Sequence, residues 1–148
     1  MGVKHAVITS VDRDDLKDGG SIIWAKTVNA IREINPETTL ETLIPDFKGD
    51  KESINRIIDV APEVVSHNLE TVRRLTREVR IQAKYDRSLE VLEYLKNNGV
   101  NRTKSGIMLG LGETKNEVID TLKDLRSVHV DIVTPVSYTH LTLPTTEA

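Results

Sequence analysis

Short apolar runs alternate with longer amphipathic ones along nearly the whole chain, and this alternation narrows the fold more than any other feature. The short runs are HAVITSV (5–11), TLETLIP (39–45), EVVSHNL (63–69), TKSGIMLG (103–110) and DIVTPV (131–136). Each reads as a strand. Between them, 21–34, 51–61, 70–80, 86–100 and 114–128 read as helices. Their inward stripes are expected at Ile23, Ala30, Ile31 and Ile34, at Ile54, Ile57, Ile58 and Ala61, at Val72, Leu75 and Val79, and at Leu89, Leu92 and Leu95. Asn35-Pro36, Pro45-Asp46, Pro62 and Gly99 supply the breaks. Thr114 with Glu117 three residues on predicts a capping box. The order β-α-β-α-β-α-α-β-α-β needs helical crossovers, so the sheet is expected to be parallel. An open doubly wound sheet and an arc of a β/α barrel both satisfy it. A full eight-unit barrel takes about 200 residues or more, and this chain has 148.

Composition limits what such a fold can do. Aromatic residues are only 3%, so aliphatic side chains must build the core. A formal net charge of -3 gives no electrostatic case for nucleic acid or an anionic membrane. No apolar run approaches the roughly 18–20 residues of a membrane span. The start MGVKHAVITS has no signal-peptide pattern, and only its Met-Gly matches a myristoylation motif. Cysteine is absent. No disulfide, zinc–thiolate site or cysteine-held iron–sulfur cluster can be built from this chain alone. A cytoplasmic location is the expectation, and an organellar one fits as well.

The last segment, SYTHLTLPTTEA (137–148), departs from the pattern: it is Thr-rich and carries one charge, Glu147. It resembles translated adapter sequence. The expected organisation is one β/α domain over 1–136 and a non-native or disordered tail over 137–148.

In parallel α/β folds, ligands bind beyond the carboxyl ends of the strands. There the sequence gathers polar groups: Ser10, Asp12, Arg13 and Asp18-Gly19-Gly20 after the first strand, Asp46 after the second, His67, Asn68 and Glu70 around the third exit, and Gly110, Gly112 and Glu113 after the fourth. A shared site and ordinary turn chemistry both account for this. The acidic turn at 12–15 reads as a solvated turn; nothing fixes the geometry a hard metal would need. His67 reads as a hydrogen-bonded structural histidine. Asn68 and Glu70 suit ribose hydroxyls or an amino group, or else cap the following helix. Lys104 lies early in its strand, where a Schiff-base lysine is not expected. Arg73, Arg74 and Arg77 read as a solvated helix face, with Arg80 at its end able to turn inward. Gly110-Leu111-Gly112 suggests a dinucleotide loop, but position 115 is lysine rather than glycine, and no P-loop Gly-Lys-Ser/Thr follows. What remains is Gly106-x-Met108-x-Gly110-x-x-Glu113, a strand whose glycines bare the backbone to a flat ligand.

That pattern resembles the Gly-x-Ile-x-Gly-x-x-Glu motif of radical S-adenosylmethionine enzymes. Four stretches in order, TSVDRDDLKDGG (9–20), PDFKGD (45–50), HNLETVRRLTREVR (67–80) and TKSGIMLGLGET (103–114), resemble the lipoyl synthases among them. The resemblance spans about residues 5–134. It implies a partial (β/α) barrel of about five units from a sulfurtransferase that inserts two sulfur atoms into a protein-bound octanoyl chain. It implies S-adenosylmethionine and two four-iron four-sulfur clusters as cofactors. The partner implied is an octanoylated lipoyl carrier domain or glycine cleavage H protein. Asn68, Glu70 and Arg80 would stand near the ribose and methionine parts of the cofactor. Gly106, Met108, Gly110 and Glu113 would stand near adenine, with Ser10, Asp12 and Arg13 lining the same cavity. The family's cysteine motifs lie upstream of the first strand, and a serine cluster ligand lies near its C-terminus. The chain is therefore expected to be an internal fragment, inactive alone. A noncatalytic nucleoside-binding module and a cluster-free, aldolase-like or phosphate-handling barrel using Lys104 are the alternatives.

Overall fold

The computed structural model describes residues 2–79 and 84–137. Five strands are present: β1 (His5–Thr9), β2 (Thr39–Leu43), β3 (Val64–Ser66), β4 (Arg102–Leu109) and β5 (Ile132–Ser137). They form one sheet in the order β1-β2-β3-β4-β5, and every pair is parallel. Each strand lies beside its neighbour in sequence, so the sheet winds in one direction only. A doubly wound sheet would reverse its order and put helices on both faces. This sheet keeps its core on one face, as an arc of a β/α barrel does.

The register shows which face that is. Ile8 aligns with Thr42, Thr42 with Val65, and Val65 with Thr103. Ile8 and Val65 pack with helix residues Trp24, Ile54, Ile57, Val91 and Leu95. Further along, Ile107 packs with Leu69, Tyr85, Leu92 and Leu125. The opposite, concave face carries His5, Val7, Glu41, Ser66, Lys104, Gly106 and Met108.

The helices are α1 (Ser21–Ile34), α2 (Lys51–Asp59), α3 (Thr76–Val79), α4 (Tyr85–Asn97) and α5 (Lys115–Ser127). Local signals set several ends. Asp50 accepts the N–H of Ser53 at 2.9 Å and starts α2. Thr114 starts α5 by the expected capping box: its hydroxyl accepts from Glu117 N–H, and the Glu117 carboxylate accepts from Thr114 N–H at 2.8 Å.

Two expectations need correction. In α1 the buried apolar residues are Trp24 and Val28, whereas Ile23 and Ile34 are 62% and 76% exposed. α1 has two apolar faces, and the one holding the large indole takes the sheet. The helix expected over 70–80 is shorter. Glu70 bridges to β4, a 3-10 turn spans Arg73–Leu75, and α3 follows. Glu70 has φ 69°, which breaks helical geometry at the expected start. Arg80 and residues 138–148 of the tail expected over 137–148 lie outside the described residues, while Ser137, expected in that tail, ends β5.

Candidate functional site at the strand exits

The four stretches picked out in the sequence interlock as two pairs, both beyond the carboxyl ends of the strands. The first pair joins 9–20 to 45–50. Asp18 accepts N–H groups from Gly20 (3.1 Å) and Ile22 (3.0 Å), opening α1. Gly19 has φ 59°, and a Cβ there would stand 2.8 Å from Cδ1 of Phe47. Glycine is thus required for both backbone conformation and close packing. Asp46 closes the other side, accepting Lys48 N–H at 2.8 Å and pairing with Arg87 at 3.2 Å.

The second pair joins 67–80 to 103–114. Asn68 Oδ1 accepts the Gly106 N–H at 2.9 Å. A Cβ at position 106 would lie 2.7 Å from that oxygen, so the amide lies flat on bare backbone. Glu70 N–H donates to Gly106 C=O at 3.0 Å, and Met108 N–H donates to Glu70 C=O at 2.7 Å. These bonds extend the β3–β4 pairing past the end of β3. Asn68 therefore does not cap a helix: the 3-10 turn begins at Arg73, with Val72 at its N-cap position.

Ser10, Asp12, Asn68 and Glu70 line one cleft of about 380 Å³, with Leu43, Pro45 and His67. It is open and polar, and the structure brings these four expected residues together. Gly106 and Met108 adjoin it through their bonds to Asn68 and Glu70. Arg13 is not among its walls. Its guanidinium forks onto Asp15 at 2.7 and 2.8 Å, and it lines a separate cleft of about 180 Å³ with Leu16 and Trp24. Gly110 and Gly112 have φ 101° and 98° and form the turn after β4. Glu113 folds back on that turn, accepting N–H from Gly110 (2.6 Å) and Leu111 (2.8 Å). The Gly110 bond first, with the other backbone donors, holds its carboxyl below the usual range.

His67 is buried, with Nδ1 3.0 Å from the Ile44 carbonyl and Nε2 2.9 Å from the Ser88 hydroxyl. This is the structural role expected. Lys104 points into the concave face. Its ammonium donates to both oxygens of Glu41, at 2.9 and 3.1 Å, and Ser66 donates to Glu41 at 2.7 Å. Lys104 is thus engaged by a carboxylate rather than presented as a lone amine. Sequence reading passed over Glu41, and no local signal marks it; only the register brings it to Lys104, 63 residues away.

The residues present do not fit an iron–sulfur cluster. The sequence has no cysteine, and among the described residues no group of three or more His, Asp or Glu side chains could hold a metal ion. The open, polar cleft does fit a small polar ligand, while the bare backbone of Gly106 is taken up by the Asn68 amide. Among the described residues, no helix is long and apolar enough to cross a membrane.

Comparison with known proteins bears on the family and the fold. The profile of the Radical SAM superfamily matches residues 1–125. The lipoyl synthase of Christiangramia forsetii is 75% identical over 138 residues, covering 93% of this chain and 47% of that protein. That of Flavobacterium johnsoniae is 74% identical, covering 93% and 48%. The mitochondrial lipoyl synthase of Nematostella vectensis is 73% identical, covering 93% and 47%. The chain spans about half the length of these curated relatives. Among solved structures, methylornithine synthase superposes with a TM-score of 0.76 at 15% identity, covering 93% of this chain and 40% of that one. Coproporphyrinogen III oxidase from Escherichia coli gives 0.73 at 14% identity, covering 94% and 32%. At such identities the likeness is one of fold.

Proposed function

This chain belongs to the Radical SAM superfamily, and on that premise we propose that it is part of a lipoyl synthase. The observation that carries the reading is 75% identity over 93% of the chain. The complete enzyme would insert two sulfur atoms into an octanoyl chain carried by a lipoyl domain or H protein. S-adenosylmethionine would supply a radical able to take hydrogen from unactivated carbon. The clusters this needs would be held by residues outside this sequence. The chain alone would be inactive.

What these residues would do is bind and orient. Asn68 and Glu70 present an amide and a carboxylate to the same polar cleft, and such groups pair with hydroxyl and amino functions. Ser10 and Asp12 close the cleft from β1. Met108 would bring a thioether near the adenine, and Gly106 would act by letting the Asn68 amide lie against its backbone. Arg80 would complete the set at the end of the 67–80 stretch. The barrel arc would run through Ser137, the last residue of β5.

The test is a titration of the isotope-labelled chain with S-adenosylmethionine at up to millimolar concentration, followed by amide shifts. The expected result is weak binding with shifts at Asn68, Glu70, Gly106 and Met108, lost in Gly106→Ala. No shifts, or shifts centred elsewhere, would remove the assignment. In parallel, reconstitution with iron and sulfide is expected to give no thiolate-to-iron absorption. A stable cluster in this chain would contradict the account of where the ligands lie.

A further inference from the structure

Arg74 ties the segment after β3 to the turn after β4 by both a charged and a backbone contact. Its Nε donates to Glu117 Oε1 at 2.7 Å, and its Nη2 donates to Glu117 Oε2 at 3.1 Å and to the Gly112 carbonyl at 3.0 Å. The two ends of this clasp are well founded. Arg74 sits between Val72 and Leu75, which are 3% and 4% exposed and hold their segment to the core. Glu117 also accepts from the N–H and hydroxyl of Thr114, so it is fixed to the first turn of α5. Gly112, the third party, lies in the Gly110–Glu113 turn, whose Gly110 and Leu111 N–H groups are held by Glu113 from within, while the Gly112 carbonyl is held from outside by Arg74.

We propose that Arg74 is a positioning residue: it holds the Gly110–Glu113 turn against the Asn68–Glu70 strand exit, so that the two halves of the candidate cofactor site keep one geometry. This rests on the cofactor reading above and adds a residue that does not touch the cleft. Arg74 is not among the walls of the cleft at Ser10, Asp12, Asn68 and Glu70. The fork matters as much as the charge. A planar guanidinium satisfies both carboxylate oxygens and still reaches the carbonyl, whereas a lysine ammonium has no such fixed geometry. Glu117 responds as expected of such a partner: the Arg74 hydrogen bonds first, then the Thr114 N–H, push its carboxyl down to about 2.

The test uses the whole chain and two readouts. In Arg74→Ala and Arg74→Lys, amide hydrogen exchange at Gly110, Leu111 and Gly112 is expected to quicken about three- to fivefold, the range an exposed ion pair supports. Exchange at Val65 and Leu95 is expected to stay as in wild type. In the same variants, the S-adenosylmethionine concentration giving half-maximal shifts at Gly106 and Met108 is expected to rise by a similar factor. Unchanged exchange in the turn of Arg74→Ala would overturn the proposal. So would equal loosening throughout the core, which would make the residue a general stabiliser. A wild-type chain that shows no cofactor shifts removes the cofactor reading alone; the exchange measurement still decides whether Arg74 holds the turn.

Discussion

The two faces of the sheet solve opposite problems. The helix-covered face is finished within this chain: Val65, Leu92, Leu95 and Leu125 have no exposed surface, and two contiguous clusters close over them. The concave face is polar and open. Val7 and Val136, on the outer strands of that face, are 55% and 52% exposed, while Glu41, Ser66 and Lys104 satisfy one another between them. A barrel arc must look like this. Its outer layer can be packed locally, one β/α unit at a time, but its lumen is filled only by side chains from all around the ring. The difference indicates where stability resides in this chain and where function would: the covered face holds the fold, and the open face and its rim carry the chemistry.

The largest effect that tests this division is a cavity on the covered face. Leu95→Ala removes a fully buried side chain packed with Ile57, Val65 and Val91. Urea denaturation is expected to show a loss of about 2–5 kcal/mol. Val7→Ser, on the concave face of the edge strand, is expected to change stability by no more than about 0.5 kcal/mol. Comparable losses for the two would mean that the concave face is packed after all, by another chain or a second copy.

How far the sequence showed this division depends on the range of each interaction. The capping box at Thr114 and Glu117 was legible because both partners lie within one turn. That the sheet is parallel was legible, because helical crossovers join its strands; the strand order was not, since a doubly wound sheet and a barrel arc both fit that alternation. The buried side of α1 was not: Ile23, Ala30 and Ile34 make a respectable apolar stripe, and periodicity does not say which of two stripes meets the sheet. Nor could the local pattern decide between the two roles open to Asn68, since its partner Gly106 lies 38 residues away. The same holds for Arg74 and Glu117, which are 43 residues apart. The gathering of Ser10, Asp12, Asn68 and Glu70 in one cleft was legible, because strand exits share an end of the sheet whatever their separation in sequence.

A smaller effect sharpens the polar side of the comparison. Glu41 is 7% exposed and accepts from Lys104 and Ser66. Glu41→Leu leaves the ammonium and the hydroxyl without their acceptor, at an expected cost of about 1–3 kcal/mol. Lys104→Met alone leaves the buried carboxylate its Ser66 hydrogen bond but removes its counter-charge. The double variant, with an apolar pair in place of the ionic one, is expected to return close to wild-type stability, because neither charge then has to be desolvated. Thermal unfolding of the four proteins at one pH measures this. Additive losses would show that the two side chains do not depend on each other, and the polar lumen would then owe nothing to this pair.

The smallest effect concerns the rim, where exposure weakens each contact. Glu117 ordinarily titrates at 4.5, and in the folded chain it is pushed down to about 2, by Arg74 first and then by the Thr114 N–H. A depressed carboxyl contributes stability that is fully present above the unfolded value and is lost as pH falls through the folded one. The contribution of Glu117 should therefore be constant at neutral pH, start to fall near 4.5 and be gone near 2. Comparing wild type with Glu117→Gln across that window separates this group from the other acids: the gap in midpoint temperature between them should narrow as pH falls. Glutamine can still serve the capping box, so the part of the gap that closes with acid belongs to the charge facing Arg74. Because the pair is exposed, the effect should also shrink with added salt. A gap that neither acid nor salt reduces would mean that Glu117 acts through packing, and that the rim is held together like the covered face rather than by its charges.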